Sequence, residues 1–227
     1  MPGWIREVFS NPAVRSAVRV TFFMAFASTA ISALIGIAAG LWLQKHSFPG
    51  KRVVIRINRT LMGVPPVVIG LIVYLLTMRG GLLGPLSLLF TVRGMILAQV
   101  LIITPIISGM VYSYADSAVP AIRAFAVTMG ANERQTARLI LSELRNELYF
   151  CIITGFGRSI SEVGAVMLVG GNIKGHTRTM TTTISLLKSQ GIYSEGIGLG
   201  LGLLVIAFIL QTIGDYLRKE QIRDENY

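Results

Sequence analysis

From Val20 to Leu43 the chain runs through 24 residues without a charge. About 20 apolar residues are enough for a helix to cross a hydrocarbon core, and the apolar part of a signal peptide is shorter than this run. The stretch therefore predicts a retained membrane span. With 52% hydrophobic residues, 14% charged residues and a mean hydropathy of +0.64, the rest of the chain is also outside the range of soluble domains. The expected fold class is an all-α integral membrane protein. One Cys and two His supply too few ligands for a structural zinc site, so no metal is expected. The net charge of +10 would suggest nucleic acid in a soluble protein. Here the basic residues fall in short loops beside apolar runs, so they read as topology signals and no nucleic-acid partner is expected.

Further spans are expected at residues 60–78, 94–115, 148–173 and 196–214, about five in all with 20–43. The N-terminal arm, Met1 to Arg19, sets Trp4, Ile5, Val8 and Phe9 beside Arg6, Arg15 and Arg19, as an interfacial segment would. The second span contains Gly63, Pro65 and Pro66, which bend a helix. Gly80 to Val92 is too short and too rich in Gly and Pro to span, and reads as an interfacial or re-entrant piece. The fourth span carries Arg158 and Glu162 near its centre, where an ionisable residue costs about 2.5–3.5 kcal/mol. Their i,i+4 spacing predicts a pair along one helix face. Gly196, Gly198, Gly200 and Gly202 give the last span small-residue spacings that permit close helix approach.

The longest polar interruption, Asp116 to Asn146, is itself patterned. Pro120 suits the first turn of a helix, and Val119, Ile122, Ala126 and Met129 recur on one face. Gly130 stops that helix. Asn132 with Gln135 three residues later fits an N-cap and capping box, and Ala137, Ile140, Leu141, Leu144 and Leu148 form the stripe of a second helix. The segment is expected to be a helical hairpin with two apolar faces, one for its own spans and one for a partner. With this hairpin in the cytoplasm, the inner side has 12 Lys and Arg residues against eight outside. That bias has the sign of the positive-inside rule. It places the C-terminus inside and the N-terminus outside.

Gly170 to Thr177 has the spacing of a phosphate loop with His176 in place of the lysine. A phosphate loop needs a preceding strand and a following helix, whereas this one leaves a span, so it predicts a glycine-rich external turn. Its Asn172, Lys174, His176, Thr177, Arg178 and Thr179 are candidates to contact a partner or an anion. No nucleophile and base stand together, and no enzyme activity is expected.

The hairpin resembles the coupling loop of ABC importer permeases, whose pattern is E-A-A-x-x-x-G-A, nine residues, then I-x-L-P. Ala126, Gly130, Ala131 and Ile140 match it; Ala124, Phe125, Ser142 and Glu143 depart. GVPPVVIGLIVYLL from Gly63, GLLGPL from Gly81 and GFGRSISEVGAVMLVGGNIKGHTRTMTTTISL from Gly155 resemble molybdate and tungstate permeases, most closely the tungstate branch. The resemblance spans Val20 to Tyr216. It implies a type I ABC importer permease fold in the cell membrane, with a second copy of the chain completing the pathway. It further implies a cytoplasmic ATPase dimer that holds the ATP and an extracytoplasmic oxyanion-binding protein. This chain would itself bind no cofactor. The coupling face would be Ala124, Ala126, Met129, Gly130, Ala131, Asn132 and Gln135, and Arg158 with Glu162 would border the translocation pathway. Molybdate is the alternative cargo, since the two tetrahedral dianions are nearly equal in size. A channel or secondary transporter would also explain charges in a span, but not the hairpin.

Overall fold

The computed structural model describes residues 11–224, with side chains as far as Tyr216. Trp4, Ile5, Arg6, Val8 and Phe9 of the expected interfacial arm lie outside the described residues. Among those described, every regular element is helical. The order is α1 (Pro12–Lys45), α2 (Lys51–Met62), α3 (Pro66–Thr77), a 3-10 turn (Gly84–Leu86), α4 (Val92–Thr128), α5 (Glu133–Glu143), α6 (Arg145–Ile160), α7 (Gly164–Gly170), α8 (Met180–Ser189) and α9 (Tyr193–Asp224). Among the described residues, three helices are long and apolar enough to cross a membrane: α1, α4 and the Tyr193–Tyr216 part of α9. Two bent pairs, α2 with α3 and α6 with α7, raise the candidates to five if each counts as one span.

The bend expected at Gly63, Pro65 and Pro66 is present but sharp enough to make two helices, whereas the break in the fourth span was not expected. Residues 60–78 hold parts of two helices that turn by 99° across Gly63–Pro65. Pro65 and Pro66 bring no amide hydrogen to the break, and Pro66 opens α3 where none is needed. Residues 148–173 likewise divide at Ser161–Val163, where α6 and α7 meet at 59°. The last helix is longer than 196–214 at both ends.

The helices pack through small residues. A Cβ added to Gly36 would stand 2.9 Å from Ile107 Cβ, and one on Gly40 would stand 2.8 Å from Val111 Cβ. Because both positions advance together, α1 and α4 run parallel. A Cβ on Gly70 would lie 2.6 Å from Ala165 Cα, so α3 and α7 are in backbone contact. Gly214 faces Phe150 and Ile153, while Gly200 and Leu203 share a cleft with Gly157 and Ile160, so α9 runs antiparallel to α6. Gly36 and Gly40 of α1 thus serve packing within the chain.

This register sorts the molecule into two ends. One end gathers the last turns of α1, the α4–α5 hairpin and the late part of α9. At the other, Val14 packs with Met180, Leu187 and Leu199, and Phe90 donates its amide hydrogen to Val169 O at 2.8 Å. Also at this end, α8 is anchored by buried Met180, whose N–H donates to Thr21 Oγ1 at 2.9 Å.

Candidate docking hairpin and membrane charge pair

The first arm of the hairpin is not a separate helix. α4 continues without a break from Val92 to Thr128, with Pro105 and Pro120 inside it. This corrects the placing of Pro120 in a first turn. Pro120 deprives the Asp116 carbonyl of its helical donor, but both residues are exposed, and water replaces the bond. Pro105 is buried and deprives the carbonyl of Leu101, an exposed residue; its own carbonyl accepts from Asn58 Nδ2 at 3.2 Å.

At the tip the chain reverses through Gly130, φ +73°. Gly130 N–H donates to Val127 O at 3.0 Å and Ala131 N–H to Ala126 O at 2.9 Å, the paired bonds of a Schellman ending. Asn132 then starts α5 with the full capping box. Gln135 N–H donates to Asn132 Oδ1 at 2.9 Å, and Asn132 N–H donates to Gln135 Oε1 at 2.8 Å. Two successive caps, closed by local bonds, make the turn rigid without a core around it.

The base of the hairpin is anchored: Ala115, Val119 and Leu144 are buried together, with Leu41, Ile140 and Leu148 packed against them. Its tip is bare. Phe125, Val127 and Met129 are 62%, 66% and 70% exposed. Of the expected coupling residues, Ala124, Met129, Gly130, Asn132 and Gln135 are exposed, Ala131 is half-buried, and Ala126 is buried under the turn. Ala126 therefore supports the tip and offers it no contact surface. Ala137 and Leu141 also face out, so the second stripe only partly packs inward. Phe125 and Val127 were not among the site residues read from sequence; Phe125 lies one turn before Met129 on the same face, which is the signal that marks it.

Arg158 Nη1 and Glu162 Oε2 are 3.1 Å apart, so the pair exists, but not along one helix. Arg158 is in the last turn of α6, and Glu162 lies beyond the C-cap, Ser161. Glu162 also accepts the Ala165 N–H on Oε1 at 3.2 Å, and its main-chain carbonyl accepts from Thr181 Oγ1 at 2.8 Å. A carboxylate at the start of α7 meets free N–H groups, as helix termini require. Beneath it, Ser28 Oγ and Ser159 Oγ are 3.0 Å apart and buried.

The expected external residues form a folded turn. Arg178 Nε donates to Asn172 Oδ1 at 3.2 Å, Ile173 N–H donates to Thr177 Oγ1 at 3.0 Å, and Asn172 sits at φ +52°. Lys174 and His176 are exposed. Thr179 is fully buried as the N-cap of α8, closing a capping box with Thr182. It therefore cannot contact a partner from this turn, and Arg178 is engaged in holding the turn closed.

Membrane-length helices with an exposed apolar hairpin tip at one end define an integral membrane helical bundle. The family model described as "Binding-protein-dependent transport system inner membrane component" matches residues 15–221, and the chain belongs to that family. The chain is 40% identical to the tungstate uptake system permease protein TupB of Peptoclostridium acidaminophilum over 210 residues, 92% of each chain. It is 35% identical to a probable anion ABC transporter permease protein of Haloferax volcanii, covering 89% of this chain and 90% of that one. To the sulfate transport system permease protein CysW of Synechococcus elongatus it is 28% identical, covering 94% and 78%. In structure it is similar to a chain of the MetNI methionine ABC transporter, with a TM-score of 0.72 at 17% identity, covering 92% of this chain and 95% of that one. The chain has the type I ABC importer permease fold and is a non-catalytic permease subunit.

Proposed function

We propose that this chain is the membrane-spanning subunit of an ATP-driven importer that carries tungstate across the cytoplasmic membrane. The observation that carries the reading is the 40% identity to a tungstate uptake permease over 92% of both chains, against 28% for the sulfate relative. Membership of a binding-protein-dependent family supports an extracytoplasmic binding protein and an ATPase as partners. Two copies of the chain would enclose the route, and two ATPases would each take one hairpin tip. Closure of the ATPases on ATP would then move rigid hairpins, and with them α4 and the bundle, alternating access to the route. The hairpin end and the C-terminus are cytoplasmic in this reading, and the N-terminus is external.

Arg158, with its guanidinium partly exposed, would give the route a positive potential that Glu162 holds below tight anion binding. Lys174 and His176 remain available to the binding protein. Molybdate is the second reading for cargo, because an equal charge and nearly equal radius leave little for a permease to distinguish. The test is uptake by the reconstituted complex of permease, ATPase and binding protein, supplied in turn with tungstate, molybdate and sulfate. ATP-dependent accumulation led by tungstate is expected; accumulation of sulfate alone would overturn the reading.

A further inference from the structure

We infer that α2 is an in-plane helix at the membrane surface on the hairpin side, and that its cationic face binds the headgroups of anionic phospholipids. Laid out at 100° per residue, α2 has three faces. Ile55, Asn58 and Met62 turn toward α4: Asn58 bonds Pro105 O and accepts from Ser108 Oγ at 3.0 Å, and Met62 packs on Gly109. Val53, Val54, Ile57 and Leu61 form a second, aliphatic face that is exposed along its whole length. Arg52, Arg56 and Arg59 form the third, also exposed. Such a helix, packed on one side and bare on an apolar and a cationic face, fits the boundary between hydrocarbon and headgroups.

Two independent features set its level and tilt. The 99° turn into α3 lays α2 across the direction in which α3 runs. The chain enters α2 from an aromatic cluster at the end of α1, where the Trp42 ring centroid is 5.0 Å from that of His46 and 5.4 Å from that of Phe48. Lys51 Nζ stands 5.7 Å above the Tyr112 ring. Trp and Tyr with basic neighbours mark a membrane–water interface.

Charge complementarity identifies the occupant. No Asp or Glu occurs between Glu7 and Asp116 in the sequence, and among the described residues no carboxylate pairs with Arg52, Arg56 or Arg59. Three guanidiniums beside an aliphatic face that needs acyl chains call for a phosphodiester bearing those chains. This inference rests on the family's membrane location and not on the cargo or the ATPase, so either can fail without the other.

The test uses the full chain in vesicles of mixed phosphatidylcholine and phosphatidylglycerol, with spin-labelled phosphatidylglycerol as the probe. Wild type should enrich the probe around itself, and Arg52→Gln/Arg56→Gln/Arg59→Gln should lower the enrichment at least about fivefold, the change for one charge worth about 1 kcal/mol. Arg52→Lys/Arg56→Lys/Arg59→Lys should retain most of it, which controls for folding. In a Cys151→Ser background, a label at Ile57→Cys should be reached by oxygen and one at Arg56→Cys by a water-soluble nickel complex. Unchanged enrichment in the Gln variant would overturn the inference. So would displacement of the probe by free inorganic phosphate, or spin coupling between labels at position 57 that reveals a second copy on this face.

Discussion

Glu162 binds Arg158 across a helix break, 3.1 Å from Nη1 to Oε2, while its other carboxylate oxygen takes the Ala165 N–H that opens α7. One buried side chain thus ties the end of α6 to the start of α7, and the Thr181 hydroxyl fixes the same residue's carbonyl. The two partners are therefore not equivalent. Removing Arg158 leaves Glu162 its amide bond, but removing Glu162 frees both the guanidinium and the α7 terminus. Glu162→Ala should lower the apparent melting temperature more than Arg158→Ala, and the double variant should be no more stable than Glu162→Ala. The coupling between the sites, read by a double-mutant cycle, should be about 0.5–3 kcal/mol. Full rescue of Glu162→Ala by Arg158→Ala would contradict the capping role.

At the hairpin tip, stability and docking should separate. Phe125→Asp alters an exposed side chain and should leave the permease within about 0.5 kcal/mol of wild type. It should nevertheless abolish co-purification of the partner ATPase. Ala126→Trp should destabilise the tip itself, because Ala126 is buried beneath the turn. A Phe125→Asp permease that binds its ATPase normally would remove the tip as the docking surface.

The paired caps give a local measure of hairpin rigidity. Asn132→Ala removes the acceptor for the Gln135 N–H, which costs about 1 kcal/mol of α5 stability. Amide exchange at residues 134–136 should accelerate by about fivefold while exchange in α1 stays constant. Gly130 combines φ +73° with open space around its Cβ direction. Gly130→Ala should therefore cost about 1–2 kcal/mol through backbone strain alone, without a clash.

Close helix contacts make a sharper steric prediction. Gly70→Val would drive its Cβ into the Ala165 backbone, whereas Gly157 has nothing within 4 Å of where a Cβ would stand. Gly70→Val should lose most folded protein in a detergent stability assay, and Gly157→Ala should not. Equal tolerance at the two positions would contradict the α3–α7 packing.

What sequence made legible here was local. The capping box of Asn132 and Gln135 depends on residues three apart, and Gly130 stops its helix whatever surrounds it. Pro65 and Pro66 mark the first helix break, but nothing in the sequence marks the second, because Ser161 ends a helix only where the freed backbone groups find other partners. Pro120 shows the reverse: a proline expected to start a helix lies inside one, since its lost bond faces water. Thr179 read as a loop residue because its threonine-rich neighbourhood looks polar, but its hydroxyl bonds are met inside the fold by Thr181 and Thr182. Whether Gly36 and Gly40 face the same chain or another copy depends on which helix lies opposite, and no spacing encodes that.

Tungstate transport by a permease that borrows its energy through the hairpin can be measured directly. Proteoliposomes holding the permease, its ATPase and its binding protein, with ATP enclosed on the hairpin side, test it in one measurement of trapped metal. Tungstate accumulation should require ATP and fall to the level without ATP when Phe125→Asp replaces the wild-type permease. Tungstate entry at an equal rate without ATP, or undiminished uptake by the Phe125→Asp complex, would contradict it.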